Sequence, residues 1–220
     1  MKKQSKTIIE IYNDYQIMPM LQVHMLRVAA VAKSICDHHK ISLDTENIVS
    51  ACLIHDMGNI IKFKLDYFPE AVKPEGLEYW TKVQKEFMEK WGDEQHRATN
   101  KIAEEIGISS KTRQYLDRIG FSMSCENRNF NEIGLKIGPY ADMRVSPEGV
   151  KPLQERLEDL FNRYQYSSNM QHVPSDTTQK SECLHAMERQ IFVENSLSPE
   201  KITDELIAPV IEELQKYHIV

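Results

Sequence analysis

The sequence predicts an all-α protein: a helical bundle with extra helices near its C-terminal end. Three observations predict it. Apolar residues recur at the three- and four-residue spacing of one helix face through most of the chain. Strand alternation and the Asn-Gly, Asp-Gly or Gly-Gly pairs of tight hairpins are absent. Proline and glycine fall where helices start and stop, as at Pro19, Gly92, Gly107 and Pro199.

The elements follow in order. Ile8 to Tyr15 reads as a short first helix. Pro19 suits a first helical position, and Leu21, Val23, His24, Val28, Val31, Ala32 and Ile35 sketch one face down to His38-His39. Asp44 is placed to cap a helix that carries Ile48, Val49, Cys52 and Leu53 into His55-Asp56, with Gly58 as its breaker. Asn59 to Gly76, with Pro69 and Pro74, reads as a loop or lid. Leu77 to Trp91 is helical and stops at Gly92. Asp93 is the expected cap of the next helix, which ends at Gly107; Ser109 or Ser110 starts another to about Ile119. Asn131 is the expected cap of Glu132 to Val145. Gly134 and Gly138 inside that helix point to close backbone packing, since each costs ~1 kcal/mol against alanine.

Ser146-Pro-Glu-Gly149 is a turn, and Pro152 to about Tyr166 an amphipathic helix. Polar residues 167–178 are the best internal boundary. Two more helices are expected, at about Gln179 to Glu194 and from Pro199 to Tyr217, with Ser198 as cap and Pro209 kinking the last. The whole chain of 220 residues is read as one domain, with a core at about 19–166 and a helical extension at about 179–220.

Composition narrows the function classes. The hydrophobic fraction is 41%, the charged fraction 27% and the net charge −6. That balance suits a soluble globular protein and argues against nucleic acid or an anionic membrane surface as partner, since both need a basic face. No stretch approaches the ~20 apolar residues of a membrane span, and no signal-peptide apolar region follows the basic first residues. Cys36 and Cys52 lie in apolar runs and read as buried thiols. With no Cys-x-x-Cys pair, a reducing cytoplasm is the expected setting.

The chemistry concentrates in Ser50-Ala-Cys-Leu-Ile-His-Asp-Met-Gly-Asn59. An imidazole and a carboxylate side by side can face one cation, but two residues cannot hold it. His24 lies upstream on an apolar face, where a histidine is more often a core residue than a ligand. Asp142 lies downstream in Gly138-Pro-Tyr-Ala-Asp-Met-Arg-Val145, with flanks apolar enough for a buried, paired carboxylate. Two imidazoles and two carboxylates suit Mn, Fe, Co, Ni, Zn or Mg and leave positions open.

In this order, His then His-Asp then Asp, the chain resembles the HD-domain superfamily of metal-dependent phosphohydrolases. The resemblance is carried by His24 in His-x-x-Arg-Val-Ala, by Leu53-Ile-His-Asp-Met-Gly58 and by Tyr140-Ala-Asp-Met-Arg-Val145. It covers about residues 19 to 166. It implies an all-α bundle that hydrolyses phosphomonoester or phosphodiester bonds of a small phosphorylated substrate, often a nucleotide. The family's four metal ligands would fall on His24, His55, Asp56 and Asp142, with Asp56 also as catalytic proton acceptor. His96 near a helix start is a further candidate for metal or phosphate, and Arg27, Arg97 and Lys62 are candidates for phosphate binding.

The chain departs from some branches. Asn59 stands where certain nucleotidases of the family carry a glutamate, and an amide cannot act as a base. The His-Asp-x-x-Glu-Asp and Gly-Tyr-Pro motifs of two other branches are absent. The alternative to an enzyme is a non-catalytic HD-fold module that binds metal or nucleotide and regulates a partner. The apolar stripe Leu206, Ile207, Val210, Ile211 and Leu214 would serve homodimerisation or cover the protein's own core.

Overall fold

The computed structural model describes residues 6–67, 69–167 and 177–219. The chain begins with α1 (Ile8–Asp14), which opens on a capping box: the Thr7 hydroxyl accepts from the Glu10 N–H, and the Glu10 carboxylate accepts from the Thr7 N–H. α2 (Pro19–Asp37) starts with proline at its first turn. Val28, Ala29, Ala30, Val31 and Ala32 are all buried, so α2 is apolar around its middle and enclosed by other helices. α3 (Thr45–Ile54), α8 (Gly134–Asp142) and α11 (Asp204–Leu214) pack against it. One expected member of its apolar face, Val23, is instead about half exposed.

α3 ends at Ile54, and His55-Asp56 lie on the turn that follows. Residues 59–76 differ from the expected loop or lid. They form three 3₁₀ turns (Asn59–Lys62, Leu65–Tyr67 and Pro69–Val72) that bury Asn59, Ile60, Ile61, Leu65 and Val72. The Gln84 amide, on α4 (Leu77–Trp91), donates to the Ile60 and Phe63 carbonyls at 2.6 and 2.8 Å and clamps the segment down.

α4 stops at Gly92 and α5 (Gln95–Ile106) at Gly107, both at positive φ where a side chain would be strained. The cap of α5 is Glu94 rather than Asp93: its carboxylate accepts from the His96 and Arg97 N–H groups. α6 (Ser110–Leu116) is capped by Ser109, and a short α7 (Ser124–Arg128) follows that the periodicity did not announce.

α8 is shorter than the expected 132–145, and the close packing foreseen at its glycines is present. A Cβ on Gly134 would lie 3.1 Å from Tyr115 Oη, and one on Gly138 3.1 Å from Ile119. Val145–Ser146 and Gly149–Val150 pair as a two-residue antiparallel hairpin around the expected turn. α9 (Leu153–Ser167) and α10 (Thr177–Phe192) follow. The proposed boundary falls mainly on residues 168–176, outside the described residues.

The final helix begins later than expected. Pro199–Lys201 is a 3₁₀ turn, Ile202 is extended, and α11 starts at Asp204 with Thr203 as its cap instead of Ser198. The reason is Arg144. Its guanidinium donates to the Pro199 and Ile202 carbonyls, holding them outside a continuous helix. In α11, Ile207 and Leu214 are buried, and Leu206, Val210 and Ile211 pack on the same core.

Cys36 and Cys52 are buried free thiols, as expected. Cys125 and Cys183 form a disulfide between α7 and α10, with Cα atoms 5.0 Å apart. A disulfide is at odds with a reducing compartment, so cysteine usage no longer argues for one. Among the described residues, no helix is long and apolar enough to cross a membrane.

Candidate metal centre

The site forms where α2, the turn after α3 and the end of α8 meet. His24 comes from the second turn of α2, His55 and Asp56 from the turn, and Asp142 from the last position of α8. Local hydrogen bonds fix that turn. A helix end leaves its last carbonyls without intrahelical partners. Here the Cys52 carbonyl accepts from His55 Nδ1 at 2.8 Å, the Leu53 carbonyl from the Tyr12 hydroxyl, and the Ile54 carbonyl from the Met57 N–H.

Gly58 follows the pair for a reason that the sequence reading missed. Its φ is −89°, open to any residue, so chain freedom does not require glycine. Contact does. A Cβ there would press into the Gln95 carbonyl and lie 2.8 Å from Thr99 N and 2.9 Å from Ala98 Cβ. The Gly58 N–H donates to Thr99 Oγ1 at 3.0 Å, so the turn is seated against α5.

The structure brings His24, His55 and Asp142 together, one ligand atom from each lying within 4.8 Å of the others. His24 Nε2 is 3.1 Å from Asp142 Oδ1, and His55 Nε2 is 3.5 Å from the same oxygen. Asp56 reaches both imidazoles, Oδ2 at 3.6 Å from His24 Nε2 and Oδ1 at 3.6 Å from His55 Nε2. Ligands bound at about 2.1 Å around one small cation stand roughly 3 to 3.5 Å apart; the two Asp142 spacings match this, whereas Asp56 reaches the two imidazoles through different oxygens and lies outside the group formed by His24, His55 and Asp142.

His55 supplies the test of fit. Only 6% of it is exposed, and bonding through Nδ1 to the Cys52 carbonyl leaves Nε2 as the open nitrogen. Among the described residues that Nε2 is buried with no partner in hydrogen-bond geometry, Asp142 Oδ1 standing off at 3.5 Å. Such an atom carries a desolvation cost unless something positive or donating meets its lone pair. Burial opposes charge on this imidazole, but Asp56 and Asp142 outweigh it and raise its pKa to about 9. Burial would likewise raise the Asp142 carboxyl, and His24 and His55 overcome it and hold the group well below the usual carboxylate range. The centre therefore favours a positive charge among these side chains. Two imidazole nitrogens and two carboxylates suit a divalent transition metal.

The other candidates are placed differently. His96 is exposed at the start of α5 and lines a cavity of about 170 Å³ with His55. Glu94 already satisfies that helix N-terminus, which weakens the argument for an anion there. Arg97 and Lys62 are exposed. Arg27 is turned towards the hairpin and α11: Nη1 donates to the Pro147 carbonyl at 3.3 Å, and Nε lies 3.8 Å from Asp204 Oδ1. The cavity also holds Thr99, Asn100, Asp117 and Ser122, which the sequence reading did not single out. They lie on or near α5 and α6, and nothing in their spacing marks them.

An HD domain family model matches residues 22–119. That span includes His24 and the His-Asp pair and stops short of Asp142, which only the fold returns to them. No curated protein and no solved structure matches the chain. With the match, the helical architecture and the convergence of these side chains in view, the chain is similar to the HD-domain superfamily over residues 22–119, somewhat under half of its length.

Proposed function

We propose that this protein is a metal-dependent phosphohydrolase that cleaves a phosphomonoester or phosphodiester bond of a small phosphorylated molecule, such as a nucleotide. The observation that carries the reading is the buried, unpartnered Nε2 of His55, facing two carboxylates and a second imidazole beside a cavity.

His24, His55, Asp56 and Asp142 would hold one divalent cation. When bound, such a cation lowers the pKa of water towards ~7 and balances charge that develops on a phosphoryl oxygen. The protein's own groups do the rest. The Cys52 carbonyl fixes the His55 tautomer and ring orientation. Asp56 lies beside both imidazoles and is the group to accept a proton from the attacking water. Asn59 is buried and offers an amide, so it supplies no base. The cavity beside His55 gives the phosphoryl group a way in, with His96, Asn100 and Ser122 able to donate to its oxygens.

The test is metal analysis of the purified protein, followed by a phosphatase and phosphodiesterase panel with Mn²⁺ or Co²⁺. Near-stoichiometric metal that Asp56→Ala removes, with turnover of at least one phosphoester, is expected. A metal-free protein, or turnover that survives loss of both His55 and Asp56, would sink the reading. Stoichiometric metal without turnover would favour the regulatory module.

A further inference from the structure

A second concavity lies apart from the metal centre, where the chain leaving α2, the α7–α8 connection and the end of α10 meet. Its volume is about 590 Å³, within the range of small-molecule sites. It shares no residue with the metal centre. Lys136 stands six residues before Asp142 on α8, about 9 Å along the helix axis.

Its polar lining is rich in donors. Lys136 is 3% exposed and donates to the neutral Gln190 Oε1 at 2.7 Å; no carboxylate among the described residues pairs with it. A buried ammonium without a counter-charge is costly. Arg128, at the rim, reaches only Asn129 Oδ1 among the described residues, at 3.4 Å. His39 Nδ1 accepts from the Ile41 N–H, which puts the imidazole proton on Nε2; that N–H is buried with no acceptor among the described residues. The one acid in the lining, Glu194, is paired with Lys40 at 3.0 Å. Asn131 adds an amide, and the rest of the lining is apolar: Ile41, Phe130, Ile133 and Val193, the last 70% exposed.

We propose that this concavity binds a small organic anion, its phosphate or carboxylate head held by Lys136, Arg128 and His39 and its apolar body lying against Phe130, Ile133 and Val193. The head supplies the missing counter-charge and the missing acceptor, and the body covers the exposed apolar wall.

The probes are phenylphosphonate, whose carbon–phosphorus bond resists phosphoester hydrolysis, and benzoate. Each is titrated into ¹⁵N-labelled protein as purified, and again after metal has been stripped and the chelator dialysed away. At least one probe should saturate at submillimolar concentration and shift the amides of residues 39, 41, 129–131, 133 and 193–194, with or without metal. Arg128→Ala and Lys136→Met should each weaken that binding at least tenfold. Response to phenylphosphonate alone assigns the phosphate class, to benzoate alone the carboxylate class, and to both a general oxyanion site. Absence of shifts at these amides with either probe overturns the proposal. So does binding that Arg128→Ala leaves unchanged, or binding lost with the metal. Arg128 is exposed, so its variant keeps the test decisive if Lys136→Met fails to fold.

Discussion

His55 is fixed through Nδ1 and left open through Nε2, and this asymmetry gives the centre its pH behaviour. In the metal-free protein its pKa rises to about 9 from an ordinary value near 6.5. A group whose folded pKa is raised stabilises the fold fully below the unfolded value and loses that contribution as pH rises through the folded one. Metal-free protein should therefore lose stability between about pH 6.5 and 9, read by denaturant melts in chelator. Asp142 acts in the opposite sense: held low, it stabilises above the ordinary carboxylate pKa and loses that contribution in acid. A bound metal takes the place of the His55 proton. Metal affinity should thus climb by up to tenfold per pH unit between about 7 and 9, measured by chelator competition; a flat profile would contradict this account. Loss of groups that merely orient ligands costs 10–100-fold, so His55→Ala or Asp142→Asn should reduce metal affinity and turnover by about 100-fold or more.

The helices explain why these residues converge. Gly58 seats the His-Asp turn against α5, with backbone rather than flexible side chain in its way. Gly58→Ala must push the turn or α5 aside. The expected cost is about 1–3 kcal/mol in thermal or denaturant unfolding, with weaker metal binding because His55 and Asp56 ride on the same turn. Thr99→Val keeps the volume but removes the acceptor of the Gly58 N–H, and should cost about 1–3 kcal/mol. Such contacts leave a trace in the sequence, a glycine or a threonine, but not the identity of the facing helix. The periodicity showed α2, α4 and α6 well because each carries a long apolar stripe or a clear cap. It missed α7, which is five residues long, and it merged the 3₁₀ turn at Pro199–Lys201 with α11.

Across the whole molecule, Arg144 is the joint. It is 1% exposed and donates to the Lys151 carbonyl, the Tyr140 hydroxyl and the carbonyls of Pro199 and Ile202; Tyr140 donates in turn to Glu188 Oε2 at 2.7 Å. One side chain thus ties the end of α8, and with it Asp142, to the hairpin, α10 and the approach to α11. Arg144→Met keeps most of the volume and removes the donor to the Lys151 and Ile202 carbonyls, while Pro199 keeps only the Ile202 N–H. It should cost about 3 kcal/mol or more and loosen metal binding without touching a ligand. Unchanged unfolding and unchanged metal affinity would show that the joint carries no such role.

By itself, the sequence determined the helical class and most element positions, and it singled out four side chains of metal-capable chemistry. Those rest on local rules: periodicity, caps, stops and the chemistry of His and Asp. Tertiary structure decided the rest. It showed that the His-Asp pair sits on a turn seated against α5, that residues 59–76 are packed, and that Cys125 meets Cys183. It turned Arg27 towards Asp204 and placed Asp142, over a hundred residues downstream, 3.1 Å from His24. The physical reason is separation along the chain. Capping and periodicity act within a few residues, whereas a metal centre needs atoms a few ångströms apart that the sequence holds far apart, and packing of the helices is what joins them.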